Sequence, residues 1–324
     1  MLSHDVVRTE DVRRLSVALL RILGVAGAYY VGGGIGLLQQ VVIDGAVVTP
    51  LWPPTGIALS CLLWMGLGIW PGIAVGTYLI IETLNPFELV GMGILVGNTL
   101  APVCAYLMLR RVGFHVELDR LRDGLALVFL GGLLPMLISA SFGSGLLLVT
   151  GSLPAEGFWS AWSAWWAGDA MGVLVVTPLL LVISRARLPR ESYRLPEAAV
   201  LSVSAVAITL LATRSSLALL FLVFPLLVWA ALRFQLAGSA PCVLLLSVLA
   251  VSAATDRVGP FADHSLFEVM VNLQLLNGAA ALTGLLLAAV ITEQMNTRSG
   301  IEQVCVELAE LVEQLTPGRW RNGD

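Results

Sequence analysis

Long apolar runs alternate along the chain with short polar, Gly-bearing or Pro-bearing breaks. The runs fall near residues 15–40, 52–67, 70–83, 88–109, 123–150, 158–184, 197–213, 216–232, 236–254 and 267–292. About 20 mostly apolar residues carry a helix across a bilayer core, so these runs predict transmembrane helices. The second and third runs are short and share a tight turn at Gly66-Leu67-Gly68, which predicts a tilted or a re-entrant pair. Pro53, Pro54, Pro71, Pro135, Pro178 and Pro225 lie at helix depth, where they kink helices or mark their ends. The expected fold class is all-α: a polytopic membrane protein of about ten transmembrane helices. A faint echo joins 52–83 to 224–254, since both read as a Pro-led helix, a short turn and a second helix.

Composition agrees. Of 324 residues, 57% are hydrophobic and 12% charged, and the mean hydropathy is +0.88. Soluble domains carry about 25% charged residues, so these polar side chains could not cover a water-soluble globule. A soluble enzyme, a disulfide scaffold, a disordered chain and a nucleic-acid binder are excluded, and the lipid bilayer is the first partner. The net charge of −4 decides little, but the placement of charge decides orientation. All 18 basic residues are Arg. With the N-terminus inside, ten spans put Arg8, Arg13, Arg14, Arg110, Arg111, Arg120, Arg122, Arg185, Arg187, Arg190, Arg194 and Arg233 on one side and only Arg214 and Arg257 on the other. Basic loops stay in the cytoplasm, so both termini are expected there. Residues 1–14 are polar and no cleavable signal peptide is expected.

The polar groups inside the spans are the candidate chemistry. In FWSAWSAWWAGDAMGVLVVTPLLL, Trp159, Trp162 and Trp166 recur at three- and four-residue spacing and lead to Asp169, which puts all four on one helix face. Asp169 should lie about 16 Å below the outer helix end, near mid-bilayer. An acid at that depth is costly and faces the bundle interior with a partner or water. Expected partners are Asn98, Thr99, Asn277, Thr55 and the Trp indoles. Ala164, Gly168 and Gly172 form a small-residue ridge suited to a neighbouring helix. In LWPPTGIAL, Trp52 is expected at the outer interface, with Pro53 and Pro54 opening a helix. Either this is an anchor and a helix start, or unwound backbone near Pro53-Pro54-Thr55 lines a ligand cavity, as in broken transporter helices. The candidate signal or ligand residues are therefore Asp169, Trp162, Trp165, Trp166, Asn98, Pro53, Pro54, Thr55 and Asn277. For the amides, helix–helix hydrogen bonding competes with a ligand role. Glu82 and Glu88 read as solvated loop residues, and the Gly32–Gly36 tract as close helix packing.

No catalytic or metal pattern emerges. His4, His115 and His264 are scattered, and Cys61, Cys104, Cys242 and Cys305 lack paired spacing. No enzyme activity, cofactor or metal is expected. After the last run, Ile301, Val304, Leu308, Leu311 and Leu315 recur at three-four spacing until Pro317-Gly318. That pattern suits either a parallel two-helix seam, and hence a homodimer, or an amphipathic helix packed on its own bundle or on the membrane.

Several segments together resemble the first type of bacterial membrane-associated sensor domain. They are WPPTGIAL with the following WPG, GNTLAP, LDRLRD, the Trp-rich run through GDAMG and TPLLL, FPLLVWAALRF, and LQLLNGAAALTGLLLAAVITEQ. The resemblance covers about residues 20–294 and implies a sensory input module in the bacterial inner membrane. Relatives carry a cytoplasmic output domain such as a histidine kinase, a diguanylate cyclase or a phosphatase. The organisation it implies is a cytoplasmic segment at 1–14, an integral membrane sensor domain at 15–294 and a signalling-helix-like tail at 295–324. The output would lie in a separate signalling protein or in a longer chain. A small-solute transporter and a partner-binding membrane subunit remain as rival readings.

Overall fold

Backbone polar groups in a bilayer core have no water to bond, so a spanning chain satisfies them within helices. The computed structural model describes residues 2–43, 46–84, 88–185, 195–215, 217 and 219–315, and it follows that rule almost throughout. Helix α1 (Leu2–Leu37) leads into a hairpin of β1 (Val41–Ile43) and β2 (Ala46–Val48). Then come α2 (Pro53–Met65), α3 (Trp70–Leu84) and α4 (Leu89–Arg111). Helix α5 (Leu121–Ala126) continues through a widened π-helical turn at Leu127–Leu133 into α6 (Met136–Val149). Helix α7 (Phe158–Met171) continues through a second π-helical turn at Gly172–Val176 into α8 (Thr177–Ile183). The chain ends with α9 (Leu195–Arg214), α10 (Val223–Thr255) and α11 (Leu266–Leu315). Arg187, Arg190, Arg194 and Pro317-Gly318, used in reading the sequence, lie outside the described residues.

Eight helical stretches among the described residues are long and apolar enough to cross a membrane, and the chain is a multi-pass membrane protein. Two elements refine the sequence reading. Helix α2 has 13 residues, about 20 Å of helix, which falls short of a core about 30 Å thick. Helix α10 is two helices joined at Gln235, whose φ of 50° and ψ of −136° leave the helical region. A Cβ on Gly238 would meet the Ala230 carbonyl oxygen at 2.8 Å. Those residues stand eight apart, about 12 Å in a straight helix, so the chain folds back there. Gly66 reverses the chain between α2 and α3 with a φ of 80°. The echo between 52–83 and 224–254 is thus a shared helix–reversal–helix shape.

The contacts between loops sort the bundle into two ends. At one, Arg185 pairs with Glu117, Arg233 pairs with Glu197, and the Leu121 N–H donates to Glu293 at 2.8 Å. At the other lie the β-hairpin and an Arg214–Asp256 pair, and Gly259 packs on the Thr213 carbonyl. These exposed ion pairs add little stability, but they fix which loops meet. The Gly32–Gly36 tract packs closely, as expected, with Gly32 against Ile57, Gly33 against Ile80 and Gly36 against Trp52.

Candidate functional site

The ridge Ala164, Gly168 and Gly172, which runs along α7 into the π-helical turn, receives an extended chain where the sequence had suggested a neighbouring helix, and Ala161 lengthens it toward the hairpin end. Ala46 packs with Ala161, Val48 with Ala164, Thr49 lies against Gly168 and Trp52 against Gly172. Residues 46–52 therefore descend beside α7 from the hairpin end to the middle of the bundle. Any side chain at Gly168 would collide with the Thr49 carbonyl, and one at Gly172 with the Trp52 carbonyl. Only glycine allows backbone to approach that closely. Trp52, expected at the outer interface, is thus placed beside the end of α7, where that helix passes into its π-helical turn. Non-helical backbone is tolerated at such depth when it is buried in protein.

The bonds that hold this segment are made to carbonyls at the end of α7, where the Gly172 N–H already donates to both the Gly168 and the Asp169 oxygens and each oxygen accepts a second donor from the segment or from α2. The Trp52 N–H donates to the Gly168 carbonyl at 3.0 Å. The Thr55 hydroxyl reaches both the Asp169 carbonyl at 3.0 Å and the Trp52 carbonyl at 2.8 Å. Thr177 closes the crossing by donating to the Gly56 carbonyl at 3.2 Å. The other π-helical turn precedes Pro135, and the Leu133 carbonyl accepts the Trp166 indole N–H at 2.7 Å.

Asp169 is 1% exposed. Ser139 on α6 donates to its Oδ2 at 2.5 Å, while Oδ1 has no hydrogen-bond partner. Asp169 lines a cavity of about 580 Å³ that runs from Gln40, Glu88 and Ser152 at the hairpin end down to Asp169 and Asn98. Trp52, Trp165, Thr49 and Thr77 form part of its wall. The Asn98 side-chain oxygen is buried without a partner. The arrangement offers acceptor oxygens at the floor and indole rings on the wall.

Of the residues singled out from sequence, Asp169, Trp165 and Asn98 meet in this cavity. Trp162 and Trp166 share the face of α7 that reaches α6, but they hold the bundle: Trp162 donates to Ser141 at 3.1 Å, and the two rings stack at 6.2 Å. Pro53, Pro54 and Thr55 shape the start of α2 outside the cavity lining. Asn277 is fully buried with both amide atoms unpartnered and does not line the cavity. The expected partners of the Asp169 carboxylate are corrected: Ser139 binds it, and Thr55 binds its backbone carbonyl. Sequence reasoning passed over Ser139, Thr77 and the wall role of Trp52; Glu88, read as a solvated residue, is exposed and lies at the rim of the cavity. The Asp-Gly step between Val41-Val42-Ile43 and Ala46-Val47-Val48 is a hairpin signal that would have placed the chain entering the site.

The family model of membrane-associated sensor domain 1, MASE1, matches residues 22–295, from α1 into α11. The chain belongs to the MASE1 family. MASE1 is a membrane sensory domain found in signalling proteins. No curated protein and no solved structure matches the chain. The matched span contains every residue of the cavity lining, so the site lies wholly within the MASE1 domain. Among the described residues, no group of three or more His, Cys, Asp or Glu side chains could hold a metal ion.

Proposed function

We propose that this MASE1 domain is a sensory input module of the bacterial inner membrane, with both termini in the cytoplasm, that relays a stimulus received at the Asp169 cavity through α11 to a cytoplasmic output. It acts by binding and conformational change, without catalysis. The Arg-poor hairpin end faces outward and the Arg-rich end inward.

Helix α11 carries this reading. It runs unbroken over 50 residues, about 75 Å. Near its start, Gln274 donates to the Pro50 carbonyl at 3.1 Å, inside the segment that walls the cavity. At the opposite end of the bundle, Glu293 accepts the Leu121 N–H. Beyond it, Ile301, Val304, Leu308 and Leu311 are 52–60% exposed, so this seam does not pack on its own bundle. Its three-four spacing suits a second copy of the same helix. A rigid helix that touches the site at one end and presents a dimer seam at the other can carry a shift or a rotation.

A diguanylate cyclase fused after Asp324 tests the relay. Inserting two residues after Gly300 rotates the seam by about 200° and should change cyclase output, whereas seven residues nearly restore the phase. Equal output from all three proteins would refute relay through α11. The extended segment at mid-depth also favours a solute transporter. Solute accumulation in proteoliposomes would support that alternative.

A further inference from the structure

The cavity combines features that select one class of ligand. Asp169 and Asn98 line its floor, and the Oδ1 of each is a buried acceptor without a partner. Indole rings of Trp52 and Trp165 stand on its wall, and Glu88 lies at the hairpin end. Among the described residues no Arg or His lines it, so nothing there neutralises an anion. A divalent metal is poorly served, because Ca²⁺ takes six to eight oxygen ligands. Here the two carboxylates lie on different elements at different depths. An organic cation needs less: one carboxylate oxygen, a few acceptors and aromatic faces that attract positive charge. The volume of about 580 Å³ falls within the usual range for small-molecule sites.

We propose that this cavity binds a small organic ammonium group, with its nitrogen paired to Asp169 Oδ1 and flanked by the indoles of Trp52 and Trp165. The proposal deepens the sensory reading by naming the ligand class of the same site, and it rests on that reading only for the consequence of binding. The ammonium group arrives either on a free amine or on the ethanolamine headgroup of a phospholipid.

The test uses the full chain in nanodiscs made only of phosphatidylglycerol. Choline, ethanolamine and tetramethylammonium chloride are titrated while thermal unfolding is followed, with sodium chloride at matched ionic strength as control. A ligand that binds only the folded state raises Tm in a saturable way. At least one ammonium probe should do so, while 3,3-dimethylbutan-1-ol, the uncharged shape mimic of choline, should not. Asp169→Asn should weaken the response at least tenfold. Ile94→Trp, which fills the cavity and keeps the carboxylate, should abolish it and serves as the test where Asp169→Asn fails to fold. In the headgroup case, discs containing phosphatidylethanolamine raise the Tm of the native chain but not of Ile94→Trp. Three results overturn the proposal: no stabilisation by any probe or headgroup, equal stabilisation by the uncharged mimic, or an undiminished response in Asp169→Asn. The fused cyclase separates the two readings. Ammonium binding with no change in cyclase output removes the sensory role and keeps the ligand class, whereas stimulus-dependent output without ammonium binding does the reverse.

Discussion

Replacing Gly172 by Ala adds one methyl group where the bundle has least room. That methyl would collide with the Trp52 carbonyl oxygen and would lie 2.5 Å from the Thr55 hydroxyl oxygen. Neither neighbour yields cheaply. The Trp52 carbonyl already accepts from Thr55, and the same hydroxyl reaches the Asp169 carbonyl. Overpacking a tight site costs about 1–3 kcal/mol. Pushing the segment away also lengthens the Trp52–Gly168 bond and the Thr55–Asp169 bond, each worth about 1 kcal/mol. Against this, Ala gains about 1 kcal/mol over Gly in a helix. The net loss is about 2–4 kcal/mol, which lowers Tm on the order of 10 °C for a chain of this size. Gly34→Ala and Gly145→Ala are the controls, because a Cβ at either position meets nothing within 4 Å. They should be neutral or slightly stabilising. Thermal unfolding of the purified protein in detergent reads all three. A Gly172→Ala protein as stable as the controls would refute the close backbone approach and, with it, the placement of residues 46–52.

Three further outcomes are expected. Ser139→Ala removes the donor to Asp169 Oδ2 and should cost about 1–3 kcal/mol of stability; in an Asp169→Ala background it should cost much less, and equal losses in the two backgrounds would refute the pairing. Cysteines scanned across 298–312 in native membranes should crosslink with heptad periodicity peaking at Ile301, Val304, Leu308 and Leu311, and a flat profile would reject the dimer seam. A membrane-impermeant thiol reagent applied to intact cells should label a cysteine placed at Arg257 and spare one placed at Arg120, and the reverse would overturn the orientation.

Periodicity and cost made much of this structure legible in the sequence. Asp169 stood out because an acid inside a long apolar run is expensive wherever it points, and the structure brings it to a cavity. Asn98 and Trp165 came with it. Trp52 was misplaced because the residues before Pro53-Pro54 look like an interfacial loop by hydropathy. Hydropathy cannot tell a segment exposed at the interface from one tucked along glycines of another helix. The ridge on α7 carried the complementary information, since Gly168 and Gly172 announce a close approach. It did not say whether the visitor is a helix or extended backbone. Ser139 was invisible for a different reason: its role depends on how α6 turns against α7, and that is set by the π-helical turn before Pro135.

The route from cavity to tail is short enough to weigh. A ligand shifts an equilibrium only by the difference in its affinity for the two states. Along with α7, the segment 46–52 both walls the cavity and touches α11. Its contacts there are the Gln274 bond to Pro50 and the packing of Met270 with Val48. Met270 and Gln274 lie four residues apart, hence on one face of α11. A single net hydrogen bond supplies about 1 kcal/mol, roughly a fivefold change. Full reversal of a 1:99 population needs about 5.5 kcal/mol. The bond alone therefore cannot throw a strongly biased switch. The packing around Val48, Ala164, Met270 and Trp165 must carry most of the coupling, or the two states must already lie within about 1–2 kcal/mol of each other. Trp165 belongs both to that cluster and to the cavity wall. In the proposed relay, a ligand that reorders its indole would act directly on the packing that holds α11.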